Sequence, residues 1–537
     1  MAVLDELIRS IELWVRASKK HEENAANPNL DPVLLVPGIG GSMLNAIDEN
    51  GKTERVWVRI FGADHEFRTK LWPRFDPSSG KTISVDEKIK IEVPEDRHGL
   101  FAIDVLDPDM IIESEGVCYY HDMIVEMIKW GYQEGKTLFG FGFDFRQSNR
   151  LQETLDRFAS KLEFAYTSSG GKKINVVTHS MGGLLVKCFM ALHTDVFEKY
   201  VKSWIAIAAP FQGAPGYITS SLLNGCSFVE GLEAYFFISK WSMQQLLLEC
   251  PSIYELMAAP SYKWENTPLL QLWTEKRDGE SGKSSILLKS YDPSKSLPLM
   301  MKALSNNAVE FGGLHIPLPL NSDILEWAKK THELLSSAKL PSSVRFYNIY
   351  GTNCDTPHSV CYGGQGDPVS DLKQLLFMEP RYINVNGDGT VPVESAKADG
   401  LDAVARIGVP ADHRGIICNR HVFRILKHWL KAGEPDPFYN PLNDFVVLPT
   451  SFEVSTHNKD TDIHVTSVKE DWQLLSQNNG HGNDNDDLLA MVGSLSVSCE
   501  EMSSMSDGAQ VTVAVQQTDC GAQVEVRAIE VSDGAVA

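Results

Sequence analysis

The sequence predicts an α/β fold with a mainly parallel sheet. Short apolar, β-branched runs recur along the chain, at 32–36 (PVLLV), 174–177 (INVV), 203–209 (SWIAIAA) and 344–351 (VRFYNIYG). Segments with helical apolar spacing separate them, and strands alternating with helices indicate βαβ units. The third observation is local: INVVTHSMGGLLVK, 174–187, runs from a strand pattern through a tight turn straight into an apolar helix pattern.

In chain order, residues 4–15 place Leu4, Leu7, Ile8, Ile11, Trp14 and Val15 on one helical stripe, read as packed on the core. PVLLVPGIGGS, 32–42, is a buried strand broken by Pro37 and a glycine-rich loop. Residues 52–115 are aromatic-rich and lack clear periodicity. Residues 117–130 read as helix, and FGFDFR at 141–146 as a strand end. The stretch from 215 to 340 interrupts the strand–helix rhythm and reads as an inserted cap. VFRILKHWLKAG, 422–433, is a terminal helix. Beyond 445 the composition changes: SQNNGHGNDNDD is a polar linker, and QVTVAVQQ and QVEVRAIEV alternate around TDCGA as a hairpin. The tail carries no catalytic signal.

Composition removes several function classes. The net charge of −22, from 49 basic and 71 acidic residues, disfavours nucleic acid as a partner and also electrostatic docking on anionic membranes. Any membrane contact is then expected to be local and apolar. No run reaches the roughly 18 apolar residues of a membrane span. Asp5 and Glu6 stand where a signal peptide needs basic residues, so no secretion signal is read. The nine cysteines are scattered and none precedes Cys118, which points to a reducing compartment. Cys354 and Cys361, the closest pair, are read as two thiols. No spacing suggests zinc, and no metal or cofactor is expected.

Ser180 sits on the strand–helix corner. A serine there is either an N-cap or a nucleophile lifted above the sheet, where small neighbours let strand and helix pass closely. Gly182 and Gly183 favour the nucleophile; Thr178 stands where such turns usually carry glycine. A serine nucleophile needs an imidazole and an acid, which follow it in the order acid, then histidine, in α/β-hydrolases. The best acid is Asp388 in NGDGTVP and the best base His413 in GVPADHRGIICN. Asp388 also fits a plain turn residue. A calcium loop is rejected, because NVNGDG begins with Asn384 and has Ser395 where a glutamate belongs. His421 and His428 compete from the terminal helix and are read as packing residues. His179 is read as structural, and Asp355 and His358 as a second polar loop of unassigned role. Oxyanion donors are expected from the N–H of Met181 and of Ile39 or Gly40. No lysine follows the PGIGGS glycines, so a phosphate loop fails.

These residues bring a family into view. PVLLVPGIGGSMLNA, ERVWVRIFGADHEFRTKLW, LDPDMI, FGFDFRQSNRLQETL, THSMGGLLVKCFM, IAIAAPFQGAPGYI, NGDGTVPVESA and DHRGI together resemble the lecithin–cholesterol acyltransferase (LCAT) family, in its plant cytosolic phospholipase A branch. The resemblance implies an α/β-hydrolase fold with inserted membrane-binding and cap or lid subdomains. It gives the roles of nucleophile, acid and base to Ser180, Asp388 and His413. It implies a membrane-contacting subdomain at 52–115, with Trp57 and Trp72 as apolar candidates, and a mobile lid starting near Gly213. Asp144 and Arg146 match the family's Tyr-Asp-Trp-Arg element, with Phe143 and Phe145 substituted, and are read as a structural ion pair.

The expected organisation is 1–51, helix and start of the core; 52–115, membrane-contacting; 116–213, core with the serine turn; 214–340, cap or lid; 341–445, core with acid and base loops; and 446–537, acidic tail. The expected activity is calcium-independent hydrolysis of glycerophospholipid acyl esters at a membrane or micelle surface by a cytosolic, peripherally associated enzyme. The alternative is transfer of the acyl chain to a sterol or diacylglycerol.

Overall fold

In the computed structural model, residues 27, 29–58, 67–108, 118–225, 240–277, 284–311, 313–433, 439–441, 494–496, 510–518 and 521–529 are described. The expected N-terminal helix at 4–15 and the polar linker at 476–487 lie outside them. Contacts divide the chain into two units, 1–439 and 440–537.

The first unit is built on six parallel strands: β1 (Val33–Val36), β2 (Leu138–Gly140), β3 (Ile174–His179), β4 (Val201–Ile207), β5 (Arg345–Thr352) and β6 (Ala403–Pro410). Their spatial order is β6-β5-β4-β3-β1-β2. β1 lies between its partners with Leu34 beside both Phe139 and Val176, and Ile349 of β5 lies between Ile207 and Ile407. Every residue of β1 and β3 is buried, which explains why these strands read as continuous apolar runs rather than alternating ones.

Helices supply the covering layers. They include α1 (His121–Lys129), α2 (Gln152–Ser168), α3 (Gly182–Leu192), α4 (Pro215–Asn224) and α5 (Arg420–Leu430). In α2, Leu155, Phe158, Leu162 and Ala165 are buried, one stripe at spacings of three and four. Phe158 meets Phe141 and Phe189 edge-on at 5.0 and 4.8 Å, joining α2, the end of β2 and α3. The α5 helix begins at Asn419, whose side chain accepts the His421 N–H, and ends with Lys431 in the left-handed conformation.

The segment inserted between β4 and β5 does not stand apart from the core. Its strands Leu270–Arg277 and Ser284–Tyr291 join Cys354–Tyr362 and Arg381–Gly387, which follow β5, in a second, mixed sheet. Glu255 ties the insertion down from inside. Its carboxyl accepts from the Ser148 hydroxyl at 2.5 Å, the Asn149 N–H at 2.9 Å, Asn149 Nδ2 at 2.7 Å and the Thr331 hydroxyl at 2.8 Å. Burial raises this carboxyl above its ordinary range even so. Residues 212–225 differ from the expected loop at Gly213: Ala214 N–H donates to Leu256 O, and α4 follows at once. Residues 226–239 of the expected lid lie outside the described residues.

Cys354 and Cys361 occupy one strand, seven residues apart. At about 3.3 Å per residue that separates them by roughly 23 Å, so they do not bridge each other. In the second unit, Gln510–Thr518 and Gly521–Ile529 pair antiparallel, with Ser494–Ser496 on the outer side of the former.

Removing the buried anchor gives a stability test. Glu255→Ala leaves the Ser148, Asn149 and Thr331 donors without their acceptor. The expected cost is about 3 kcal/mol, read as a clear fall in Tm by thermal denaturation; an unchanged Tm contradicts the anchoring role.

Candidate active site

β3 ends at His179 and α3 starts at Gly182, leaving two residues to reverse the chain. Ser180 takes a φ of 53°, a left-handed conformation that a residue with a side chain adopts only under constraint. Crowding accounts for the glycines around it. A Cβ on Gly182 would lie 2.4 Å from Pro37 O and 2.9 Å from Val36 O, and one on Gly183 would lie 2.6 Å from Ala209 Cβ. Thr178 fits without displacing the turn: it is buried, and its hydroxyl accepts the Trp204 indole N–H at 3.0 Å.

Asp388 and His413 come from loops at the same end of the sheet. Asp388 follows Arg381–Gly387 of the second sheet rather than a strand of the central one, and His413 follows β6. The His413 N–H donates to Asp388 O at 2.7 Å, fastening the two loops by their main chains. Gly351 at the end of β5 leaves the room needed, since a Cβ there would lie 2.5 Å from Asp388 Cβ.

The three side chains form one chain of hydrogen bonds. His413 Nε2 is 2.9 Å from Ser180 Oγ, and His413 Nδ1 is 2.8 Å from Asp388 Oδ2. The other carboxylate oxygen accepts from the N–H groups of Thr390 at 3.0 Å and Val391 at 2.6 Å. Asp388 is 1% exposed, Ser180 5% and His413 9%. A carboxylate only accepts, so Nδ1 carries the imidazole proton and the Nε2 lone pair faces the serine hydroxyl. That arrangement withdraws a proton from Ser180 as its oxygen attacks an electrophile.

The glycine loop lies against the serine. A Cβ on Gly38 would sit 2.6 Å from Ser180 Cβ. Ile39, Gly40, Ser180 and His413 line one cleft, whose other walls include Trp57, Val58, Leu106 and Ile218. Among the described residues, none accepts a hydrogen bond from the N–H of Ile39, Gly40 or Met181. Main-chain donors left open beside a nucleophile suit a developing oxyanion.

Trp57 and Trp72 correct an expectation. They are 2% and 3% exposed, so neither side chain is placed to contact a membrane. The indole N–H of Trp57 donates to Gly40 O at 2.7 Å while its ring lines the cleft, and that of Trp72 donates to Gln245 O at 3.0 Å. Both are structural members of the core. Asp355 and His358 also differ from expectation: they lie in the strand Cys354–Tyr362, with His358 Nε2 2.6 Å from Asn266 O, and neither lines the cleft. His421 and His428 belong to α5, away from the cleft lining. Arg146 holds Asp144 through two nitrogens, at 2.9 and 2.7 Å, and donates to Leu71 O. Phe145 between them packs on Trp57 at 5.2 Å, so this ion pair buttresses the cleft wall without lining it.

Tyr119 is the residue that the sequence pattern did not single out. Its hydroxyl contacts both Gly38 and His179 inside the cleft. His179 is structural as read, but more closely engaged than its place beside the serine suggested. Neither relation has a local sequence signal.

A family profile described as Lecithin:cholesterol acyltransferase matches residues 68–277. The chain is 60% identical to Lecithin-cholesterol acyltransferase-like 4 of Arabidopsis thaliana, over 99% of both chains. It is 49% identical to Phospholipase A(1) LCAT3 of the same organism, over 76% of this chain and 92% of that one. It is also 23% identical to bovine (Bos taurus) lysosomal phospholipase A and acyltransferase, over 68% of this chain and 81% of that one.

The crowding at the turn sets a test of its geometry. Gly182→Ala forces its Cβ against main-chain oxygens of the glycine loop, with an expected stability cost of about 1–3 kcal/mol. Labelling of Ser180 by a fluorophosphonate probe is expected to slow far more than the Tm falls. Wild-type labelling and Tm together contradict the close approach.

Proposed function

Given that this chain belongs to the lecithin:cholesterol acyltransferase family, we propose that it is a metal-independent phospholipase A that cleaves fatty acyl esters of glycerophospholipids. The observation that carries this reading is the Ser180–His413–Asp388 hydrogen-bond chain opening into an apolar cleft. Ser180 Oγ attacks the ester carbonyl as His413 Nε2 takes its proton. The carbonyl oxygen becomes an oxyanion, received by the N–H of Met181 and that of Ile39 or Gly40. Collapse expels the lysophospholipid, which takes the proton from His413, and leaves the acyl chain on Ser180. Water then gives a proton to His413 and attacks the acyl-enzyme; as the bond to Ser180 Oγ breaks and fatty acid leaves, His413 returns the proton to Ser180. Asp388 keeps the imidazole in the required tautomer and stabilises its charged form.

The cleft suits such a substrate. Its apolar walls accept an acyl chain, and Arg414, the only arginine or lysine in the lining among the described residues, brings positive charge to the cleft, which suits a substrate carrying a phosphodiester. The relative named Phospholipase A(1) LCAT3 supports the hydrolytic reading. The name of the bovine relative, which couples phospholipase A with acyltransferase, supports a second: an alcohol in place of water at the last step. Scattered cysteines, with none before Cys118, support a cytosolic protein. Its substrate requires contact with a membrane or micelle surface, and no helix among the described residues is long and apolar enough to cross one. The contact proposed is peripheral.

Phosphatidylcholine labelled separately at each acyl position, incubated in EDTA with wild-type protein or Ser180→Ala, tests the reading. Fatty acid and lysophospholipid are expected from wild type, and roughly 10⁴-fold less or lower from the variant. Label entering steryl ester or triacylglycerol when acceptors are supplied favours the transferase. Equal activity in the variant removes Ser180 from the chemistry.

A further inference from the structure

The glycine loop that offers oxyanion donors and the loop that carries His413 reach the cleft from distant parts of the chain. Catalysis of acyl transfer needs them in register, because the imidazole and the oxyanion donors act on the same carbonyl group. Two buried side chains bridge them. The Tyr119 hydroxyl is 2.7 Å from the Gly38 nitrogen and 2.5 Å from His179 Nδ1, and His179 Nε2 is 2.8 Å from the main-chain oxygen of His413.

Every donor in this chain is determined by its partner. A carbonyl oxygen only accepts, so His179 Nε2 carries the proton and donates to His413 O. The Nδ1 of a neutral imidazole is then an acceptor, so the phenol donates to it. The phenol oxygen in turn accepts the Gly38 N–H. Burial first, and then the neighbouring His413 imidazole, holds His179 well below the ordinary histidine range, which keeps it in this neutral form. The Tyr119 ring also fills the space beneath the loop: a Cβ on Gly41 would lie 2.5 Å from its phenol carbon. The rings of His179 and His413 lie 4.9 Å apart, so movement of one is felt by the other.

We propose that Tyr119 and His179 are positioning residues, a hydrogen-bonded relay that locks the Gly38–Gly40 loop to the main chain of His413 and so fixes the oxyanion donors relative to the base. This rests on Ser180 being the nucleophile of an acyl hydrolase. A relay of this kind acts on the reacting geometry and leaves the apolar walls that bind the acyl chain unchanged. Its loss therefore appears in kcat and in acylation of Ser180 rather than in KM.

Tyr119→Phe removes one oxygen and keeps the ring. His179→Gln retains a donor and an acceptor on one side chain, whereas His179→Leu retains neither. Each variant is compared with wild type and Ser180→Ala for fluorophosphonate labelling rate, for kcat and KM on phosphatidylcholine vesicles, and for Tm. Tyr119→Phe is expected to lower labelling and kcat by about 10- to 100-fold with KM within about twofold of wild type. His179→Gln is expected to retain much more activity than His179→Leu. Tyr119→Phe/His179→Leu is expected to be no slower than His179→Leu alone, because both changes break the same relay. Wild-type kcat in Tyr119→Phe, a change confined to KM, or fully additive losses in the double variant would overturn the relay. The wild-type and Ser180→Ala pair separates the two levels. Equal labelling of that pair removes the acyl-hydrolase reading and the relay with it, while Ser180-dependent labelling that Tyr119→Phe does not slow removes the relay alone.

Discussion

The left-handed turn at Ser180 is the constraint around which the rest of the site is arranged. A φ of 53° on a residue with a Cβ costs on the order of 1–3 kcal/mol and persists only where the surroundings leave no alternative. Here they leave none. The fully buried β3 enters the turn, α3 leaves it, and main-chain oxygens of Val36 and Pro37 come so close to Gly182 that any side chain would collide. The same proximity brings the glycine loop against the serine, where Ile39 and Gly40 line the cleft. Strain at one residue and open donors at its neighbours are two consequences of one close approach.

The acid and base are held by a different device. Asp388 follows a strand of the mixed sheet that the insertion helps to build, and His413 follows an edge strand of the central sheet. Their loops join through the main-chain bond from His413 to Asp388 as well as through their side chains. The insertion therefore contributes to the reacting groups as well as to the walls of the cleft. Glu255 beneath it anchors the same segment to the residues that follow FGFDFR.

What was legible in the sequence followed the range of the signal. The strands β1, β3, β4 and β5 and the serine turn are local patterns, and each stands where those patterns put it. Asp388 and His413 were found because a glycine-flanked aspartate and a loop histidine followed the serine in the required order, and the structure brings all three within hydrogen-bond reach. Trp57 and Trp72 are buried where the family resemblance implied membrane contact, since a tryptophan in an aperiodic stretch carries no mark of the side it faces. Only tertiary packing puts the indole of Trp57 on Gly40. The mixed sheet was equally hidden: LQLWTEKR at 270–277 does not alternate cleanly, and its partner at 354–362 lies across β5 in the sequence. His358 was assigned to a loop for the same reason. Tyr119 and His179 were invisible as a pair because their hydrogen bond joins residues 60 positions apart.

The most direct test of the account is to trap the covalent species it requires. Wild-type protein mixed with phosphatidylcholine, quenched in acid on the millisecond-to-second scale and digested, would be examined by mass spectrometry for acylated peptides. A fatty acyl ester is expected on the peptide spanning Ile174 to Lys187, located at Ser180, forming no more slowly than lysophospholipid is released. An acyl group on another residue, or lysophospholipid accumulating through many turnovers with no acylated peptide at any time, would contradict it.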